Sequence, residues 1–240
     1  MDKNRSFIKC LDLIVFIFES LHMALSKLDI AKRIAKELKN GMYVNLGIGI
    51  PLLAANFIQE NSNVVLQTEN GILGLGPYPE EFEIDADLIN PAKETVTILP
   101  GGAFFDSAES FGMIRAGKID IAVLGAMQVS ERGDIANWKV PGKKIRGVGG
   151  AMDLIAGVKK IIVAMQHTNQ NNESKLVQEC TLPLTGIACV HMVITDLAVI
   201  DITTEGFLLR EKAPGVSIEE IRKRTAGRLV ISSEVIEMEF

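Results

Sequence analysis

Residues 26–231 repeat one alternation, and it restricts the chain to few architectures: a short run of β-branched or aliphatic residues, a loop marked by glycine or proline, then a helical stretch. Runs of strand length occupy 42–46, 64–66, 95–99, 119–124 and 161–165, with helices read from Ser26, over 51–59, over 107–116 and from Ala151. The helix ends carry their own signals. Ser26 and Asp29 form a capping box, Ile30, Ile34 and Leu38 make an apolar stripe, and Gly41 reads as the stop; Ser217 with Glu220 opens a last helix. Strand, helix and strand in succession need crossovers, so the alternation implies an α/β fold with a mostly parallel open sheet flanked by helices. Pro100, Gly101 and Gly102 read as a turn. Beyond residue 190 the pattern changes, because 190–202 and 207–210 flank Thr203-Thr204-Glu205-Gly206 as a strand pair, followed by a strand at 229–231.

Ligands in such sheets bind at the carboxyl ends of strands, and one carboxylate falls there. The run Leu66-Gln67-Thr68-Glu69-Asn70-Gly71-Ile72-Leu73-Gly74-Leu75-Gly76 begins at the end of a strand, and its three glycines read as irregular backbone that another molecule can approach closely. Glu69 therefore stands at a strand mouth. A strand-ending glutamate facing solvent is the ordinary alternative. No second carboxylate lies within a few positions, which weakens a metal site or an acid/base pair. A lone carboxylate among backbone N–H donors suits a nucleophile attacking an acyl carbon, with the donors stabilising the oxyanion.

Other chemistries lose their support. Gly47 and Gly49 follow a strand and precede a helix, but Leu52 stands where a dinucleotide fingerprint needs its third glycine, and no Gly-x-x-x-x-Gly-Lys-Ser/Thr exists, so nicotinamide, flavin and ATP readings fail. His22, His167 and His191 have no metal-ligand spacing, though His167, just past a strand, is placed to reach a cleft. A net charge of −5 and an aromatic content of 5% argue against nucleic acid. Cys10, Cys180 and Cys189 are too few and too scattered for a disulfide framework, which points to a reducing, cytoplasmic setting. At the start, Lys3, Arg5 and Lys9 precede an apolar run over 11–18 that Asp12 interrupts and Glu19 closes. That run is too short for a signal peptide and far from the ~20 residues that span a bilayer, so no membrane role is expected. Residues 1–22 read as an N-terminal extension and 23–240 as one domain. The acidic residues over 80–87 read as a solvated loop.

The run around Glu69 resembles the active-site signature of the β half of the class I, 3-oxoacid CoA-transferases. Val44-Asn45-Leu46-Gly47-Ile48-Gly49-Ile50-Pro51, Phe105-Asp106-Ser107-Ala108-Glu109-Ser110-Phe111, Ala136-Asn137-Trp138-Lys139-Val140-Pro141-Gly142-Lys143 and Gly149-Gly150-Ala151-Met152-Asp153-Leu154 match the same family in order, covering 23 to about 231. Thr68 stands where the family usually has Ser or Cys, and the basic Lys144 is a departure. The resemblance implies a Rossmann-like three-layer fold and ping-pong transfer of CoA between an acyl-CoA and a free short carboxylic acid, through a Glu69 anhydride and a Glu69–CoA thioester. It further implies that Asn45 orients the carboxylate or contacts the acyl oxygen, that Gly149 or Gly150 gives an N–H to the oxyanion, and that Lys93 binds a substrate carboxylate. Gly47, Gly49, Lys143, Lys144 and Arg146 would meet coenzyme A, while Trp138 and Met152 would be core. No cofactor or metal is implied, coenzyme A being a substrate. The expected partner is an α subunit in an α2β2 heterotetramer. Two other readings stay open: an acyl-CoA hydrolase or acyltransferase using the same glutamate, and a non-catalytic effector-binding module.

Overall fold

The computed structural model describes residues 24–142 and 149–240; the extension read over 1–22 lies outside the described residues. Thirteen strands form two sheets. In chain order they are β1 (Tyr43–Leu46), β2 (Val65–Thr68), β3 (Ile72–Leu75), β4 (Ile98–Phe104), β5 (Ile121–Leu124), β6 (Gln128–Ser130), β7 (Ile135–Ala136), β8 (Lys160–Ala164), β9 (Leu176–Val177), β10 (Met192–Ile194), β11 (Ala198–Thr203), β12 (Gly206–Lys212) and β13 (Leu229–Glu237). Helices are α1 (Lys27–Ala35), α2 (Ile50–Leu53), α3 (Ser107–Arg115), α4 (Ala151–Gly157) and α5 (Ile218–Arg224).

The large sheet has the order β13-β12-β11-β10-β8-β5-β1-β2-β3-β4. Its centre, β10-β8-β5-β1-β2, is parallel throughout, and within the sheet only β3 and β11 run against the rest. The expected mostly parallel α/β sheet is present. Short central strands are buried on both faces, which is why they read as continuous apolar runs. Ile121 and Val123 of β5 join Ile30, Ile34, Val44 and Leu66 in one layer, under α1 and α2. Ala122 and Leu124 face the other way, with Ile114 of α3 and Leu154 of α4.

The Ser26 capping box is intact, with Oγ accepting from the Asp29 N–H and the Asp29 carboxylate accepting from the Ser26 N–H. The helix ends at Ala35, well short of Gly41, and Leu38 is buried beyond its end. Arg33 fixes α1 onto the sheet. It grips Glu211 of β12 through Nε at 2.7 Å and Nη2 at 2.6 Å, and it meets Glu37, which Lys160 of β8 also holds at 3.1 Å.

Three local readings are corrected by the sheet. The glycine-rich run after Glu69 is not irregular throughout, since β3 forms within it; Gly71, at φ +110°, reverses the chain, and Gly74, at φ +82°, lies where the β3–β4 register slips. Pro100, Gly101 and Gly102 lie inside β4 rather than in a turn. They are tolerated because β4 is the sheet's edge, where a missing N–H breaks no ladder. The helix read over 51–59 is a single turn, α2, continued by a 3-10 turn over Ala54–Phe57.

His167 does not reach a cleft. It is fully buried, its Nδ1 3.0 Å from Thr195 Oγ1 and its Nε2 3.0 Å from Thr225 Oγ1. Burial, with Arg224 nearby, lowers its pKa from 6.5 to about 4. The unfolded chain therefore binds a proton at this position at a pH where the native protein does not, so stability is full above pH 6.5 and falls as pH drops towards 4. The loss amounts to about 2–4 kcal/mol. Thermal unfolding followed from pH 7 to pH 4.5 is expected to show this slope, and His167→Gln to flatten it; an unchanged slope in the variant would assign the acid sensitivity to other groups.

Candidate functional site

Glu69 occupies a tight reversal between β2 and β3, and every neighbouring residue helps to fix it. The Gly71 N–H donates to the Thr68 carbonyl at 3.2 Å, and the Ile72 N–H donates to Thr68 Oγ1 at 3.0 Å. Asn70 Nδ2 donates to the Ile89 carbonyl at 2.8 Å, and the Phe105 N–H donates to the Gly71 carbonyl at 3.1 Å. A side chain at Gly71 would overlap the Phe105 carbonyl, so the residue must be glycine for space as well as for its positive φ. The loop is thus held by β4 on one side and by the residue 89 segment on the other. Such a loop, with glycine at positive φ in its third position, is a standard way to close a three-residue hairpin.

The half-buried Glu69 side chain reaches from this turn to the start of α4. A Cβ built on Gly150 would fall on Glu69 Oε2 and come within 2.9 Å of the Phe111 ring. The carboxylate therefore packs against bare backbone where α3 and α4 meet, at the carboxyl end of a parallel strand, where Glu69 was expected.

The remaining expected site residues divide. Asn45 is buried on β1, and its Nδ2 donates to the Gln67 carbonyl at 3.1 Å and to Gln67 Oε1 at 2.8 Å. Its amide nitrogen is thus engaged beneath the strand that carries Glu69 rather than turned to an acyl oxygen. Gly47 donates to the Val123 carbonyl at 2.8 Å, and an added Cβ would meet that oxygen at 3.0 Å; Gly49, at φ +93°, precedes α2. Both stand at the carboxyl end of β1, beside β2. Lys93 is exposed and left-handed at φ +67°. It sits in a loop that Asn90 builds by accepting the N–H groups of Ala92 and Glu94, and Asn70 ties the base of that loop to the Glu69 turn. Gly149 is exposed at φ +56° with open space around it. Lys143, Lys144 and Arg146 lie outside the described residues.

Sequence reasoning missed Gln67, Ser110 and Phe111. The available signal was a glutamine inside an otherwise apolar strand, which burial permits only when both ends of its amide are paired. Met152 also departs from the core reading, since it is exposed near the mouth together with Ile48 and Phe104, whereas Trp138 is half-buried and donates Nε1–H to the Leu184 carbonyl at 3.2 Å. A groove of about 730 Å3, lined by Val64, Leu66, Leu75, Tyr78 and Leu99, lies at the opposite end of the β2–β3 hairpin from Glu69. It is apart from the carboxylate. Among the described residues no helix is long and apolar enough to cross a membrane.

Comparison with known proteins gives a consistent answer. Residues 27–224 match the family model described as coenzyme A transferase. The chain is 56% identical over 202 residues to the β subunit of the succinyl-CoA:3-ketoacid coenzyme A transferase of Helicobacter pylori, covering 84% of this chain and 97% of that one. It is 52% identical over 212 residues to the human mitochondrial succinyl-CoA:3-ketoacid coenzyme A transferase 2, covering 88% of this chain but only 41% of that longer one. Among solved structures, the acyl-CoA transferase of Escherichia coli O157:H7 superimposes with a TM-score of 0.73 at 24% identity, over 90% of this chain and 43% of that chain, and so shares the fold.

Proposed function

Because this chain belongs to the coenzyme A transferase family, we propose that Glu69 is its covalent nucleophile. The chain is the β half of a 3-oxoacid CoA-transferase, an enzyme that moves coenzyme A between an acyl-CoA and a free carboxylic acid. The observation that carries the Glu69 assignment is the packing of its carboxylate against Gly150, at the end of a strand held by both neighbouring segments.

The steps follow from that position. A Glu69 oxygen attacks the thioester carbonyl carbon, the C–S bond breaks, and coenzyme A leaves as its thiolate from an acyl-glutamyl anhydride. The thiolate then attacks the Glu69 carbonyl, releasing the first acid as carboxylate and leaving a glutamyl-CoA thioester. The acceptor carboxylate repeats both steps in reverse and frees Glu69. No net proton or electron is exchanged. The Gly150 N–H, at the start of α4 beside the carboxylate, is the group we assign to the charge that develops on the carbonyl oxygen. We assign Lys93, on the loop fastened to the Glu69 turn, to a substrate carboxylate, and Gly47 and Gly49 to the approach of the coenzyme A arm.

A β half of this kind has an α counterpart. We propose that the α chain covers the apolar rim of Ile48, Phe104 and Met152 and that the assembly is an α2β2 heterotetramer. Acetoacetate, with succinate, acetate or butyrate as the other acid, is the substrate pairing we propose, in a reducing compartment such as the cytoplasm that suits the free Cys180 and Cys189.

The test uses the chain copurified with its α partner, incubated with acetoacetyl-CoA without an acceptor, reduced with borohydride and digested for mass spectrometry. The expected result is reduction of the Glu69 thioester to the alcohol, with turnover only when a second acid is supplied. Turnover with water alone would make the enzyme a hydrolase, and an unmodified Glu69 in active enzyme would place the nucleophile elsewhere.

A further inference from the structure

Beneath Glu69 a row of buried polar groups runs from one backbone carbonyl to the next, and its direction is fixed from one end. The Gln67 carbonyl can only accept, so Asn45 must present Nδ2 to it, at 3.1 Å. The same nitrogen then donates to Gln67 Oε1 at 2.8 Å, which turns Gln67 Nε2 towards Ser110 Oγ at 2.9 Å. The Ser110 hydroxyl proton is left for the Thr68 carbonyl, 3.4 Å away. Reversing either amide would oppose donor to donor along the row. All three side chains are at least 96% buried.

The row ends on the peptide group that leads into Glu69. Ser110 belongs to α3, and the next residue, Phe111, supplies the ring against which Gly150 packs. One turn of α3 therefore holds the backbone under the nucleophile and also forms part of the wall beside its carboxylate. Packing alone does not require polarity here, because Asn45 pairs in register with Ala122 of β5, an apolar residue at the same level of the sheet. A half-satisfied amide in this layer would be destabilising, so the complete row points to a demand for position.

We infer that Gln67 and Ser110 are positioning residues that hold the Glu69 carboxylate on its line of attack, acting through the Thr68 carbonyl and the Phe111 ring without touching substrate. The inference rests on Glu69 being the nucleophile.

The experiment uses Gln67→Leu, Ser110→Ala and Gln67→Glu, each assembled with the α partner and checked for native circular dichroism. A carboxylate misplaced by about 1 Å loses on the order of 100-fold in rate, so Gln67→Leu is expected to lower kcat by roughly 10- to 100-fold and Ser110→Ala by about 5- to 10-fold, with KM for the acyl-CoA within about twofold. Gln67→Glu supplies a readout that a merely structural role would not move. As a carboxylate it cannot donate to Ser110, but as the protonated acid it can, so its kcat should recover as pH is lowered, on a slope that wild type lacks. Borohydride trapping separates the possible failures. Wild type labelled at Glu69, with folded variants labelled just as fast, overturns the positioning role alone. Active wild type unlabelled at Glu69 overturns the nucleophile and this inference with it. Should Gln67→Leu fail to fold, Ser110→Ala and the pH slope of Gln67→Glu decide the matter by the same criteria.

Discussion

Glu69→Gln in the assembled enzyme is expected to lose at least ~1,000-fold in kcat, equivalent to ~4 kcal/mol of transition-state stabilisation, while its unfolding temperature stays within a few degrees. The substitution keeps the shape of a half-buried side chain on a turn whose other hydrogen bonds come from Thr68, Asn70, Gly71 and Phe105, so folding has little reason to change. The chemistry has every reason to. A neutral amide oxygen is a poor nucleophile, and no anhydride or glutamyl thioester forms on it. Glu69→Asp asks a different question, because the carboxylate survives but is withdrawn by one methylene from the wall formed by Gly150. That displacement exceeds 1 Å, for which a loss of about 100-fold or more is expected. The two variants together separate the need for a carboxylate from the need for its position. Glu69→Gln with kcat within about tenfold of wild type would remove covalent catalysis by this residue and reopen the reading of the domain as a binding module.

Much of this site was legible because its chemistry lies on a strand end. The apolar run before Glu69 and the glycines after it located the carboxylate at the correct edge of the sheet. The strand–helix alternation supplied the parallel centre. What escaped was whatever depended on pairing across the sheet. That the residues after Gly71 pair as β3, and that Pro100 to Gly102 sit within β4, follows from β4 being an edge strand, which local glycine and proline signals do not reveal. His167 was misplaced for a related reason: Thr195 and Thr225, which satisfy its ring, are far away in sequence. Asn45 was placed at the site from its motif, but its partner Gln67 is a neighbour only across two parallel strands, so the row beneath the nucleophile emerged from the register alone.

Gly150→Ala is expected to separate activity from folding more sharply than any other single change. At φ −80° and ψ 3° the backbone of Gly150 suits any residue, so alanine brings no conformational strain and, at the position preceding α4, costs at most about 1 kcal/mol of stability. Its methyl group, however, falls on Glu69 Oε2 and lies 2.9 Å from the Phe111 ring. Of those two neighbours the glutamate is the one with a flexible end, so the carboxylate moves and the protein stays folded. A nucleophile displaced by about 1 Å predicts a fall of roughly 100-fold in kcat, with slower borohydride labelling of Glu69 and an unfolding temperature close to wild type. Gly149→Ala carries the opposite signature. Its Cβ meets open space, but φ is +56°, so the loss should appear mainly as about 1 kcal/mol of stability. Kinetics and thermal unfolding on the two variants side by side test the geometry directly: if Gly150→Ala labels at the wild-type rate, the carboxylate does not act from its place against α4, and the oxyanion role assigned to the Gly150 N–H falls with it.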